Sequence, residues 1–257
     1  MRAVIFDQDG VIADTERDGH RVAFNRVFEE EGLGVSWSVE HYGELLKIAG
    51  GKERMRPIVY SGDFHKDVGD KDLYLKRLHQ RKTEIFMEIV SRGQIALRSG
   101  IRRLVQEARR DGLKLAVCST SNERAVHTLL RTLLGEEAYG WFDVILAGDV
   151  VKYKKPSPEI YHLAAETLHF EPDQCIVIED SRNGLLAAKG AGMRCVITQN
   201  AYTAGEDFTE ADLVVDCLGD PGGEPSRVIA AKVDLPPAEY VTIEHLKRLF
   251  IQTSDGS

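Results

Sequence analysis

Short apolar runs recur along the chain at residues 3–6, 113–118, 142–147, 175–178, 195–198 and 213–215. Most are continuously apolar rather than alternating, the pattern of strands buried on both faces of a parallel sheet. Between them, helical periodicity runs over 101–110, 123–134, 158–168 and 184–190. Strand alternating with helix predicts an α/β fold with a doubly wound parallel sheet.

Residues 15–92 break this rhythm. The segment holds no convincing strand, only helical stripes: Val22, Val27 and Phe28 in one, with Gly32 closing it, and Leu75, Leu78, Ile85 and Ile89 in another. The expected organisation is a Rossmann-like core formed by 1–14 and 93–218, with an all-helical cap domain, 15–92, inserted after the first strand. Residues 219–257 form a breaker-rich linker and a short tail helix. That tail, with Thr242 as its cap, carries no chemistry and reads as a packing element.

The 257 residues carry 33 Lys+Arg against 41 Asp+Glu, a net charge of −8. This balance speaks against nucleic acid or anionic membrane as a partner, because no basic excess exists to neutralise phosphates. A small phosphorylated substrate needs only a local cluster of cations and stays open. No apolar run reaches bilayer length, and Ala3-Val4-Ile5-Phe6 is too short for a signal peptide. Cys118, Cys175, Cys195 and Cys217 are widely spaced, and three of them lie in apolar runs, which suggests buried thiols in a reducing compartment. A cytoplasmic monomer is expected.

Polar chemistry gathers where the strands end. Asp7-Gln8-Asp9-Gly10 follows the first run, Ser119-Thr120-Ser121-Asn122 the second and Glu179-Asp180-Ser181 the fourth, while Lys155-Pro156 comes shortly after the third. Ligands of parallel α/β sheets bind beyond these carboxyl ends. Each cluster alone could be a turn, a helix cap or a solvated basic run; together they supply carboxylates, phosphate-type donors and a lysine. A calcium loop is excluded, since the glycine comes too early. Carboxylate oxygens suit Mg²⁺, and a cation with a lysine would neutralise a phosphate near an attacking carboxylate. An aspartate can also be a covalent nucleophile.

The stretch from Phe6 to Glu16 resembles motif one of the haloacid dehalogenase superfamily. Ser119, Lys155-Pro156 and Glu179-Asp180-Ser181-Arg182-Asn183-Gly184 resemble motifs two to four, in order. Gln8 departs from the apolar residue usual between the two aspartates. The resemblance implies that Asp7 attacks phosphorus and ligates Mg²⁺. Asp9 would protonate the leaving oxygen and then activate water, its backbone carbonyl also meeting the metal. Asp180 would be the remaining ligand, supported by Glu179, and Ser119 and Lys155 would hold the phosphoryl group.

Substrate choice is read from the insert. Lys82 stands where the stripe expects an apolar residue, with His79 on the neighbouring surface. The pair could grip a second anionic group, or Lys82 could snorkel at the stripe's edge. Gly50-Gly51-Lys52-Glu53-Arg54 reads either as a helix-closing glycine with a charged turn or as a backbone nest for a polar substrate end. Glu16 and His20 could face the same ligand; equally, Glu16 favours a helix dipole and His20 could be an ordinary surface or core histidine. These stretches, with Lys154-Lys155-Pro156-Ser157-Pro158, resemble the CbbY-type subgroup, with one extra residue around Asp18-Gly19 and a longer tail. The resemblance implies dephosphorylation of xylulose-1,5-bisphosphate, a misfire product that inhibits Rubisco, to xylulose 5-phosphate. The alternatives are a β-phosphoglucomutase-like phosphotransferase, a broader sugar-phosphate phosphatase, or a non-catalytic sugar-phosphate-binding regulator; Asp7, Asp9, Lys155 and Asp180 argue against the last, since a binder needs no nucleophile.

Overall fold

A computed structural model describes residues 1–48 and 50–251, so the last six residues of the expected tail lie outside the described residues. The chain divides into two compact units, one of Met1–Asp14 with the chain from Ala96 onward, the other Thr15–Ile95.

The first unit is built on strands β1 (Ala3–Phe6), β2 (Lys114–Ser119), β3 (Val144–Ala147), β4 (Cys175–Glu179), β5 (Arg194–Thr198), β6 (Leu213–Val215) and β7 (Val228–Ala231). Their order in the sheet is β3-β2-β1-β4-β5-β6-β7. The pairs from β3 to β6 are parallel, while β7 runs antiparallel to β6. Alternation along each strand divides the core in two. Val4, Phe6, Leu115, Val117, Ile176 and Ile178 pack on one face; Ala3, Ile5, Ala116, Cys118, Cys175 and Val177 pack on the other. Covering both faces explains the unbroken apolar runs. All four cysteines are free and buried.

The helical unit holds α1 (Arg21–Glu30), α2 (Val39–Leu45), α3 (Gly51–Val59) and α4 (Lys71–Ser91). Back in the α/β unit come α5 (Ile101–Arg110), α6 (Glu123–Leu134), α7 (Glu136–Tyr139), α8 (Glu159–Leu168), α9 (Arg182–Gly190) and α10 (Ile243–Arg248). Helix α10 buries Ile243 and Leu246 in the same core as α5. Thr242 and His245 close its first turn as a capping box, and Glu107 of α5 accepts from the Ile243 amide at 3.1 Å. None of the helices is long and apolar enough to cross a membrane among the described residues.

Two elements differ from the sequence pattern. Strand β7 lies inside the segment read as linker; all four of its residues are exposed, so no buried run marks it. The Gly50–Arg54 stretch does not close a helix but opens one. Gly50, at φ 93°, precedes α3, and Lys52, Glu53 and Arg54 lie within that helix.

Gln8 is 2 % exposed and its Oε1 is buried with no partner among the described residues. A buried unsatisfied amide oxygen costs about 1–3 kcal/mol. Gln8→Val is therefore expected to raise the melting temperature by a few degrees in a thermal melt, at about 2–4 °C per kcal/mol for a chain of this size. A lower melting temperature would show instead that the amide nitrogen of Gln8 contributes more than its oxygen costs.

Candidate active site

The strand order reverses at β1, which has β2 on one side and β4 on the other. That reversal leaves a crevice at the carboxyl ends of the three strands. Phe6 stands opposite Val117 and Ile178, so one step further Asp7 comes level with Cys118 and Glu179. The chain then turns at once: Gly10, at φ 87°, donates to the Ala13 carbonyl at 2.8 Å, and the Gln8 carbonyl accepts from Ile12 at 2.9 Å. A side chain at position 10 is ruled out twice, by that φ and because its Cβ would lie 2.0 Å from Asp180 Oδ2.

Three carboxylates converge here. Asp7, Glu179 and Asp180 each offer an oxygen within 4.8 Å of the others, and all three residues are buried. Lys155 Nζ donates to Asp7 Oδ1 at 2.6 Å, to Glu179 Oε1 at 2.6 Å and to the Cys118 carbonyl at 3.0 Å, which occupies its three hydrogens. Tyr161 on α8 donates to Glu179 Oε1 at 2.6 Å, and the Asp180 amide donates to Glu179 Oε2 at 3.1 Å. Asn200 Nδ2 donates to Asp180 Oδ2 at 2.6 Å.

Burial pushes the Asp7 carboxyl up to about 8, against the pull of Lys155 and with help from the Glu179 and Asp9 charges. Burial, then Glu179 and Asp7, push Asp180 well above the ordinary range. Burial disfavours the Lys155 ammonium too, but Asp7 and Glu179 outweigh it and hold its pKa above the usual lysine value. Ionising all three acids around one ammonium would leave a surplus of negative charge in a low-dielectric site. A hard cation would relieve that surplus, and an all-oxygen donor set fits Mg²⁺.

The Asp9 carboxylate lies outside this cluster: its Oδ2 accepts from Ser119 Oγ at 3.1 Å and from Ser121 Oγ at 2.7 Å. Ser119 also accepts from the Ser121 amide at 3.0 Å. Thr120 is exposed, and Asn122 caps α6, its Oδ1 accepting from the Ala125 amide at 3.3 Å.

The helical unit has a polar cluster of its own. Tyr42 donates to Glu16 Oε2 at 2.6 Å and accepts from Arg54 Nη1 at 3.1 Å. Lys82, 6 % exposed, donates to His20 Nδ1 at 2.9 Å and lies 4.7 Å from the Phe24 ring centroid. Lys82 is thus buried and does not snorkel. Burial, and then the Lys82, Arg54 and His79 charges, hold His20 well below its ordinary pKa, so its imidazole is neutral and Nδ1 can accept. Lys52 and Glu53 are exposed, while a Cβ on Gly51 would lie 2.9 Å from His79 Nε2.

Residues Glu16–His20 form a π-turn, in which the Arg21 amide donates to the Glu16 carbonyl. Gly19 suits it, since a Cβ would lie 2.7 Å from Phe86 and 2.8 Å from Ile95.

Sequence reasoning assigned no role to Tyr42, Arg98, Tyr161 or Asn200. Tyr161 reads as an ordinary apolar position of α8, and nothing local marks Asn200 as a partner of Asp180.

Residues 1–192 match the haloacid dehalogenase-like hydrolase family. A CBBY-like protein of Arabidopsis thaliana is 50 % identical over 226 residues, covering 86 % of this chain and 70 % of that protein. Protein CbbY of Cereibacter sphaeroides is 43 % identical over 223 residues, covering 87 % and 95 %. Among solved structures, a CbbY variant from Rhodobacter sphaeroides in complex with xylulose-(1,5)bisphosphate superposes with a TM-score of 0.70 at 43 % identity, covering 84 % of this chain and 94 % of that one. A putative beta-phosphoglucomutase from Thermotoga maritima gives a TM-score of 0.67 at 30 % identity, with the same coverage. The chain belongs to the haloacid dehalogenase-like hydrolases and is a sugar phosphatase similar to the CbbY proteins.

Proposed function

We propose that the protein removes one phosphate from xylulose-1,5-bisphosphate to give xylulose 5-phosphate, through an aspartyl-phosphate and with Mg²⁺. The observation that carries the chemistry is the buried set of Asp7, Glu179 and Asp180 around Lys155. The substrate is carried by the CbbY structure that holds this bisphosphate. Asp7, Glu179 and Asp180, with the Asp9 carbonyl, would hold Mg²⁺, which supplies positive charge for the phosphoryl oxygens.

In the first step an Asp7 carboxylate oxygen forms the bond to phosphorus, the phosphorus–sugar oxygen bond breaks, and Asp9 gives its proton to the departing oxygen. In the second, Asp9 takes a proton from water as that water's oxygen attacks phosphorus, and Asp7 leaves as the free carboxylate. Ser119 holds the phosphoryl group, and the Lys155 ammonium, bonded to Asp7 and Glu179, neutralises its charge throughout. Glu16, His20, Lys52, Arg54, His79 and Lys82 are assigned to substrate choice. The buried free thiols support a reducing compartment such as the cytoplasm, and the chain is taken to act as a monomer.

A phosphate-release assay tests this. Rapid phosphate release from xylulose-1,5-bisphosphate, abolished by excess chelator, is expected. The likeness to a putative beta-phosphoglucomutase favours one second reading. Conversion of β-glucose 1-phosphate to glucose 6-phosphate, with no release from the bisphosphate, would establish that reading in place of the first.

A further inference from the structure

We infer that Arg98 is a positioning residue of the phosphotransfer centre, clamping the loops after three strands and thereby fixing the seat of Asp180. The inference rests on Asp180 being a metal ligand, as proposed above. Arg98 lies on the first stretch of chain after the α/β unit resumes at Ala96. Its amide donates to the Ile12 carbonyl at 3.0 Å, within the turn that follows β1. Its Nη1 donates to the Gly10 carbonyl, to the Thr198 carbonyl at 3.0 Å and to Thr198 Oγ1 at 2.8 Å. Its Nη2 donates to the carbonyls of Gln199 at 2.5 Å and Asp216 at 2.8 Å. One planar fork therefore ties the loops that leave β1, β5 and β6.

Two of those loops form the wall against which Asp180 rests. Gly10 approaches Asp180 Oδ2 so closely that no side chain fits between them. Asn200, directly after Gln199, donates to the same oxygen at 2.6 Å. The Asn200 amide is itself oriented, because its Oδ1 accepts from the Tyr202 amide at 2.9 Å and the Thr203 amide at 3.2 Å, leaving Nδ2 to face Asp180. Arg98 thus acts on Asp180 through Gly10 and Asn200, while its own partners are backbone carbonyls and one hydroxyl. Lysine cannot reproduce this, since its three donors radiate from one point instead of spanning a fork. Groups that orient a metal ligand from behind typically change metal affinity by about 10- to 100-fold.

Direct binding of Mn²⁺, followed by electron paramagnetic resonance on the full chain, tests this without recourse to turnover. Wild type should bind Mn²⁺ and Asp180→Asn should bind it far less; equal binding by the two would overturn the reading of the site, and this inference with it. Given that difference, Arg98→Lys and Asn200→Ala should each raise the Mn²⁺ dissociation constant by about tenfold or more. The double variant should fall short of the product of the two single effects, because part of the action of Arg98 passes through Asn200. A purely structural Arg98 would lower the melting temperature of Arg98→Lys and leave its Mn²⁺ affinity unchanged. That result, or single effects that multiply in the double variant, overturns the inference. Should Arg98→Lys not fold, Asn200→Ala decides alone: unchanged affinity there removes the path.

Discussion

Asp7→Asn is expected to abolish phosphate release, by on the order of 10⁴-fold or more, while leaving a folded protein. An amide is a poor nucleophile and a weak ligand for a hard cation, yet it fills the same space beside Lys155. The same substitution should change how stability depends on pH. In metal-free wild type the Asp7 carboxyl ionises near 8, against 3.8 when unfolded, chiefly because it is buried. Between those values the folded chain holds a proton that the unfolded chain has lost, so this group makes wild-type stability fall as pH rises from about 4 to about 8. Asparagine does not titrate. Measured in chelator, the melting temperature of Asp7→Asn relative to wild type should therefore climb between pH 5 and pH 8. Near-normal turnover in the folded variant, with deamidation excluded by intact mass, would defeat the covalent mechanism. A melting-temperature difference independent of pH would show that Asp7 ionises in the folded chain much as it does in the unfolded one.

This division between reactive and supporting groups also explains what was legible in the sequence. Asp7, Glu179 and Asp180 follow unbroken apolar runs, and such runs mark buried parallel strands whose carboxyl ends must meet at one edge. Their convergence follows from the alternation of strand and helix. Arg98 is different, because its acceptors at Thr198, Gln199 and Asp216 are brought to it only by the order of β5 and β6 in the sheet. Tyr161 is hidden for the opposite reason: it sits at a core position of α8, and its hydroxyl finds Glu179 from there. Strand β7 carries no burial signal and follows a run of glycine and proline, so its pairing with β6 comes from the sheet edge and not from its own composition. The pair Gly50-Gly51 misleads because glycine is common just past helix ends, whereas here it stands before α3.

The ammonium of Lys155 is the second group whose loss should be severe, and Lys155→Met isolates it. Methionine keeps much of the apolar stem and removes the charge. Glu179 and Asp7, 1 % and 8 % exposed, would then lose the cation that both of them bond. Breaking a buried ion pair by deleting one partner costs about 3–5 kcal/mol, on the order of 10 °C in melting temperature for a chain of this size. The pH dependence identifies the cause. Lys155 has a pKa raised above 10.5, so its own titration contributes nothing between pH 5 and pH 8. The change must come from the acids, and because Lys155 pulls the Asp7 pKa down, removing it drives that pKa further up. The metal-free variant should accordingly lie below wild type by a constant margin between pH 5 and pH 8, where Asp7 holds its proton in both, and fall further behind as pH rises above about 8, where only the wild-type Asp7 ionises. Turnover should stay low across the whole range. Without the ammonium the transferred phosphoryl group loses a fixed positive charge, a deficit of about 10²–10³-fold in kcat that saturating Mg²⁺ leaves in place. A variant that melts like wild type at pH 8 and keeps kcat within tenfold would reduce Lys155 to a spectator. One whose stability deficit does not widen above pH 8 would place the role of Lys155 in packing alone.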